Sequence, residues 1–130
     1  MKILHIDDNA NFTETMSKLL GLHGHECDIS NDGKEALKMT VTNKYDAIVL
    51  DLDMPIFTGY DYINGLERTG MLLSQNVIVL TGLLLSEEEV QELIKKGVKG
   101  CIEKPISIEK LNAILASFAI TPYVRQQDQL

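Results

Sequence analysis

The chain has no apolar run approaching the roughly 18–20 residues needed to cross a bilayer, so a membrane-spanning helix is not expected. Its opening residues, MKILHIDDN, place acids where a secretory signal would need an unbroken apolar stretch, and a cytoplasmic protein is expected. Cysteine is scarce. Cys27 and Cys101 each sit in an apolar segment without a second Cys or a His at ligand spacing, and both read as buried reduced thiols. His23 and His25 flank Gly24 near Cys27, a cluster that reads as a surface turn rather than a metal site. Basic residues are in deficit: twelve Lys and Arg against nineteen Asp and Glu give a net charge of −7. A phosphate backbone would be repelled, which argues against direct nucleic-acid binding. There is no internal repeat and no low-complexity segment.

The 130 residues suit one compact domain, and folding at this length buries roughly 65–70% of the extended chain's surface. A composition of 45% hydrophobic and 24% charged residues is that of a globular chain, not a disordered one. Short β-rich runs occur at Lys2–Ile6, Glu26–Ser30, Tyr45–Leu50, Val77–Leu80 and Gly100–Ile102. AIVL at 47–50 and VIVL at 77–80 are apolar without alternation, as strands covered on both faces are. Helical spacing fills the gaps. Phe12, Met16, Leu19 and Leu20 form one stripe, Ala36, Leu37 and Val41 mark a second helix, and Tyr62, Ile63 and Leu66 a third. Ser86 with Glu89 is a capping box for a fourth helix carrying Val90, Leu93 and Ile94 and closed by Gly97. Asp32 with Glu35 is a weaker box for the second helix, and Ser107 caps a fifth carrying Ile108, Leu111, Ile114, Leu115 and Phe118. Five strands alternating with five helices predict an α/β doubly wound fold, a parallel sheet with right-handed crossovers. Residues 119–130 turn polar and Gln-rich and are expected to fray.

Acids gather at strand ends. Asp7 and Asp8 follow the first strand and Asp51 the third. With the strand order 2-1-3-4-5 these strands are neighbours, and their carboxyl ends border the crevice where such sheets bind ligands. Three converging carboxylates repel one another unless a cation joins them, and hard oxygen ligands suit Mg²⁺. Thr81 and Lys104 end the fourth and fifth strands at the same edge, supplying a hydroxyl and an ammonium for a phosphoryl group. Singly, each has an ordinary explanation: Asp8 as a helix cap, Thr81 as a turn residue, Lys104 as a solvated charge. The coincidence at four strand ends carries the weight.

Over residues 1–118 the sequence resembles the receiver domain of two-component response regulators, a flavodoxin-like (βα)5 fold. The matching pieces are Asp7-Asp8, Asp51-Leu52-Asp53-Met54-Pro55 with Gly59, Thr81-Gly82 and Lys104-Pro105. The resemblance implies that Asp51 accepts a phosphoryl group from the phosphohistidine of a sensor histidine kinase or phosphotransfer protein, and that the output is contact with a downstream target protein. It implies Mg²⁺ held by Asp8, Asp51 and the Asp53 backbone carbonyl, with Asp7 acting through a bound water. It further implies a cis Lys104–Pro105 bond, with Lys104 paired to Asp51 before phosphorylation and to a phosphoryl oxygen after it. A stand-alone receiver, monomeric or weakly dimeric on phosphorylation, is the expected form.

In the family the Thr81-type hydroxyl moves toward the phosphoryl group, drawing the next loop along, while an aromatic three positions before the lysine turns inward. Here that position is Cys101, a departure that removes the aromatic half of the switch. Asp53 and Leu83 occupy the two positions that tune dephosphorylation and pull in opposite directions: an extra acid against a bulky shield. Leu83, Leu84 and Leu85 cannot all point inward, so this loop and the fourth helix, with Lys95, Lys96 and Lys99 nearby, are expected to form the partner face. Two other readings stand beside this one: a degenerate receiver acting only as an interaction module, and a phosphatase using Asp51-Leu52-Asp53 as an Asp-x-Asp motif.

Overall fold

The computed structural model describes the backbone of residues 1–128 and the side chains of residues 1–118. Five strands, β1 (Lys2–Ile6), β2 (Glu26–Ser30), β3 (Ala47–Leu50), β4 (Val77–Thr81) and β5 (Gly100–Glu103), alternate with α1 (Ala10–Leu22), α2 (Gly33–Thr42), α3 (Gly59–Arg68), α4 (Glu87–Lys96) and α5 (Ile108–Asp128). A 3₁₀ turn at Leu72–Ser74 precedes β4. All pairings are parallel, as the strand–helix alternation predicts, and the order is β2-β1-β3-β4-β5, the one that brings the first and third strands together. The fraying expected over 119–130 falls on residues whose side chains are not described.

Every residue of β3 and β4 is buried, which is why their sequences do not alternate. Ile48, Leu50, Val77 and Val79 face one core with Tyr62, Ile63, Leu66 and Leu93, whereas Ala47, Val49, Ile78 and Leu80 face the other with Met16, Leu20, Leu111 and Leu115. β3 begins at Ala47 rather than Tyr45. The Asp46 carboxylate accepts from the Lys2 N–H at 2.7 Å and the Tyr45 hydroxyl donates to Asp28 Oδ2 at 2.7 Å, so this pair bridges to β1 and β2 ahead of the ladder. In α2, Val41 is half exposed and Thr40 is buried in its place. The Thr40 hydroxyl reaches both the Ala36 carbonyl, at 2.9 Å, and the Tyr62 hydroxyl, at 2.7 Å, so this polar group is buried without an orphan.

The caps act largely as expected. Ser86 and Glu89 form the reciprocal box of α4, and Gly97 ends that helix at φ 129°. Asp32 accepts from the Lys34 N–H, and Ser107 Oγ from the Lys110 N–H. A second full box, Thr58 with Asp61, starts α3 and was not read from the sequence.

The loop joining β3 to α3 combines two constraints. A Cβ at Gly59 would collide with the Asp51 carbonyl oxygen and lie 2.6 Å from Leu52 Cα, so only glycine lets α3 start against the end of β3. Ile56 is held in the left-handed region at φ 67° with its side chain fully exposed, a strained choice for a β-branched residue. Gly59→Ala is expected to cost about 2 kcal/mol in urea denaturation by overpacking. Ile56→Gly is expected to gain about 0.5–1 kcal/mol, with an unchanged denaturant slope.

Candidate functional site

The sheet's hydrogen-bond ladder continues one rung past the strands and pins the polar residues at one edge. The Asp7 N–H donates to the Ser30 carbonyl at 3.1 Å, the Asp51 N–H to Ile6 at 2.9 Å and the Lys104 N–H to Thr81 at 2.8 Å. Asp7, Asp51, Thr81 and Lys104 are therefore located by backbone pairing rather than by flexible loops. Asp7, Asp51 and Thr81 are each 5% exposed or less. Asp8 is exposed, and its alternative role as a helix cap is taken by Asn9, whose side chain accepts from the Phe12 N–H at 3.1 Å.

Lys104 spans two of the acids. Its ammonium lies 2.8 Å from Asp7 Oδ2 and 3.6 Å from Asp51 Oδ2, and it rests over the Phe12 ring, 4.5 Å from the centroid. The tighter partner is Asp7, whereas the resemblance implied Asp51 first. Asp7 is itself held on all sides: Oδ1 accepts from the Asn9 N–H at 3.0 Å, and its carbonyl accepts from Asn31 Nδ2 at 2.7 Å. Asn31 also donates to Thr13 Oγ1 at 3.0 Å. Phe12, Asn9 and Asn31 were not singled out as site residues. Phe12 is part of the first helix's apolar stripe and Asn9 and Asn31 carry no local signal, so only the fold brings them to the acids. Behind the lysine, His5 is buried edge-on to Phe12, its Nδ1 without a partner among the described residues. Burial, opposed by the Asp7 charge and aided by Lys104, lowers its pKa to about 4, so the ring stays neutral.

Carboxylate oxygens of Asp7, Asp8 and Asp51 lie within 4.8 Å of one another. Three acids against one ammonium leave the cluster short of positive charge, and its all-oxygen donor set fits Mg²⁺. The Asp8 carboxyl is pushed above the usual carboxylate range by desolvation first and then by the charge of Asp7, with Asp51 adding to it. A divalent ion would relieve that repulsion. Asp53 is exposed, and its backbone N–H donates to Asp51 Oδ1 at 3.2 Å, which seats its main chain against the Asp51 carboxylate.

On the far side, Thr81 Oγ1 accepts from the Leu83 N–H at 3.2 Å. Thr81, Leu83, Leu85, Val90, Cys101, Ile102 and Glu103 line a cavity of about 130 Å³. Cys101 is half-buried in its wall, and burial raises its thiol pKa. The three leucines divide: Leu85 packs on the core, while Leu83 and Leu84 are 37% and 82% exposed. The lysines expected beside them lie toward the other end of α4, with Lys96 bonded to Asn64 Oδ1 and Lys99 to the Leu73 carbonyl. Lys104–Pro105 is cis.

Because Asp8's pKa is raised on folding, its charged form opposes folding. The penalty is complete above the raised value and fades as pH falls through it toward the ordinary carboxylate range. Asp8→Asn is accordingly expected to stabilise the metal-free protein at pH 7 by about 0.5 kcal/mol, or roughly 2 °C in melting temperature, after screening of so exposed a group. The gain should vanish near pH 3 in thermal melts.

The model of the family described as response regulator receiver domain matches residues 3–116. The chain is 31% identical over 119 residues to the sensor histidine kinase RcsC of Salmonella typhi, covering 92% of this chain and 12% of that protein. It is 34% identical over 113 residues to the response regulator MprA of Mycobacterium leprae, covering 87% and 48% respectively. The chain thus spans less than half of each of these relatives. Among solved structures, the receiver domain of the Francisella response regulator 1452 superposes with a TM-score of 0.81 at 31% identity, covering 90% of this chain and 94% of that one. With the family model spanning nearly the whole chain and the paired acids, Asp51, Thr81 and Lys104 at one sheet edge, this protein belongs to the response regulator receiver domains.

Proposed function

We propose that the chain is a phosphorylation-activated switch in which Asp51 takes a phosphoryl group from a partner's phosphohistidine. The observation that carries this reading is the Lys104 ammonium placed between Asp7 and Asp51. In the transfer, an Asp51 carboxylate oxygen forms the new P–O bond as the P–N bond breaks, and the histidine, protonated on its other ring nitrogen, leaves as neutral imidazole. Lys104 stands ready to follow the charge onto a phosphoryl oxygen, and the burial of Asp51 keeps that attraction undiluted by solvent. Asp8, Asp51 and the Asp53 carbonyl would hold Mg²⁺, with Asp7 reaching it through water. The ion's contribution when bound is to offset charge on the phosphoryl oxygens. The protein assists its own phosphorylation and dephosphorylation by positioning and electrostatics, without substrate turnover.

The signal leaves through Thr81. Its hydroxyl is already tied to the Leu83 N–H, so a rotation that donates to a phosphoryl oxygen pulls on the 82–85 loop and shifts the face spanning 81–101. Cys101 lacks the volume to act as a rotating plug, which leaves this tether as the main conduit. The upstream partner is a histidine kinase or phosphotransfer protein in the cytoplasm, and the downstream partner is a protein. Among the described residues no helix is long and apolar enough to cross a membrane.

Incubation with acetyl phosphate and Mg²⁺ is expected to add about 80 Da, one phosphoryl group, at a single residue. Asp51→Asn should abolish the addition. Thr81→Ala should keep it while losing the accompanying amide shifts at residues 83–85. Many equivalents of phosphate released would instead indicate a phosphatase. Neither addition nor release would leave only an interaction module.

A further inference from the structure

A groove of about 410 Å³ lies between the first turn of α3 and α4, lined by Tyr60, Glu89, Glu92, Leu93 and Lys96. It is separate from the acidic cluster and from the cavity beside Cys101. Its floor is apolar, with Leu93 buried and the Tyr60 ring 37% exposed. Glu89 and Glu92, one helical turn apart, share its wall. Glu89 is held in place by its capping bond to the Ser86 N–H at 3.0 Å, and bonds to Ser86 keep its carboxyl below the usual range, so it carries charge. Lys96, the groove's own cation, is drawn to Asn64 Oδ1 at 3.0 Å on α3. Glu87 and Glu88 extend the negative field along the first turn of α4, and the loop leading into that helix exposes Leu83 and Leu84.

We propose that this α3–α4 groove is the docking site for a basic amphipathic segment of a partner protein, with an Arg or Lys seated between Tyr60, Glu89 and Glu92 and apolar side chains over the Tyr60 ring and Leu93. An aromatic face flanked by two carboxylates is a receptor for a guanidinium or ammonium, combining cation–π and ionic attraction. A lone exposed ion pair holds little, and the apolar floor supplies what charge alone cannot. Charge selects the occupant. A second copy of this chain, with its net −7, brings the wrong sign to a wall of glutamates. The groove also borders the switch. Val90 follows Glu89 on α4 and lines the cavity shared by Thr81, Leu83 and Cys101. Burial raises the Tyr60 hydroxyl pKa, with Glu89 and Cys101 adding to it. This names the partner chemistry of the 81–101 face. It rests on the proposed function for its link to Asp51, not for docking itself.

The test uses the full chain and a synthetic amphipathic helix of roughly 14 residues, with Leu at i, i+3, i+4 and i+7 and Arg flanking them, read by fluorescence anisotropy. A matched peptide with Glu for Arg is the charge control. The Arg peptide is expected to bind at least about tenfold more tightly than the Glu peptide. The double substitution Glu89→Gln with Glu92→Gln should weaken it about tenfold, Gln at position 89 preserving the capping box. Tyr60→Ala should weaken it as well, with its folding checked by thermal melting. Removing the same two charges at Glu35 and Glu109 should leave binding unchanged. An equal loss at that distant pair, equal binding of the Glu peptide, or a stable dimer with no peptide binding would overturn the proposal. Asp51 phosphorylation, followed separately by mass, tells the two readings apart. Modified protein without groove-specific binding sinks the docking site alone. Groove-specific binding in a chain that cannot be phosphorylated sinks the acceptor reading alone.

Discussion

The arrangement of the site depends on three carboxylates being forced together at the carboxyl edge of a parallel sheet with a single ammonium to balance them. The backbone does the forcing. Ladder bonds beyond the strand ends fix Asp7 to β2, Asp51 to β1 and Lys104 to β4, so none of these groups escapes its neighbours by moving a loop. The fold thereby stores electrostatic repulsion at the place where the proposed function puts a cation and a phosphoryl group. Asp8 registers it in a raised pKa, and Lys104 relieves it only in part by bridging Asp7 and Asp51. A site satisfied internally would have less to gain from a ligand.

That bridge divides the labour among the acids. Asp7 is the anchor, holding the ammonium at 2.8 Å while the Asn9 N–H and Asn31 fix its carboxylate and carbonyl. Asp51, at 3.6 Å, is the looser partner. An acceptor gripped by its lysine would resist conversion to an acyl phosphate, whereas one within reach but not clamped can gain the phosphoryl group and keep the same cation nearby. The Phe12 ring lies against the ammonium and packs in turn on the neutral His5.

Much of this was legible because two periodicities and one edge rule act locally. The apolar runs AIVL and VIVL declared buried strands, the Ser86–Glu89 box declared α4, and the acids fell where parallel strands end. What stayed hidden depends on contacts between distant segments. Val41 looked like core because spacing counts apolar residues, yet Thr40 is buried there because its hydroxyl pairs with the hydroxyl of Tyr62, 22 residues on. Asp7 looked secondary because nothing local tells which acid lies nearer a lysine 97 residues away. Lys95, Lys96 and Lys99 looked like neighbours of the exposed leucines because α4 is short. Its ten residues, however, separate an acidic start from a basic end by about 15 Å of helix.

The same polarity in α4 bears on how a receiver lacking an inward-turning aromatic can still signal. Cys101 leaves a cavity of about 130 Å³ beside Thr81, and such a space lowers the cost of moving the loop above it, since fewer packed atoms must be displaced. Thr81 Oγ1 is bonded to the Leu83 N–H, so the hydroxyl that answers a phosphoryl group in the proposed switch is already attached to the exposed loop. Leu85 anchors the loop's far end in the core and Ser86 caps α4, so displacement is confined to residues 82–84 and passed to the acidic start of the helix. In the proposed switch, a short tether moving into this cavity takes the place of a large rotating ring. It needs less rearrangement of the core, and it delivers its motion to the surface where exposed leucines and glutamates meet.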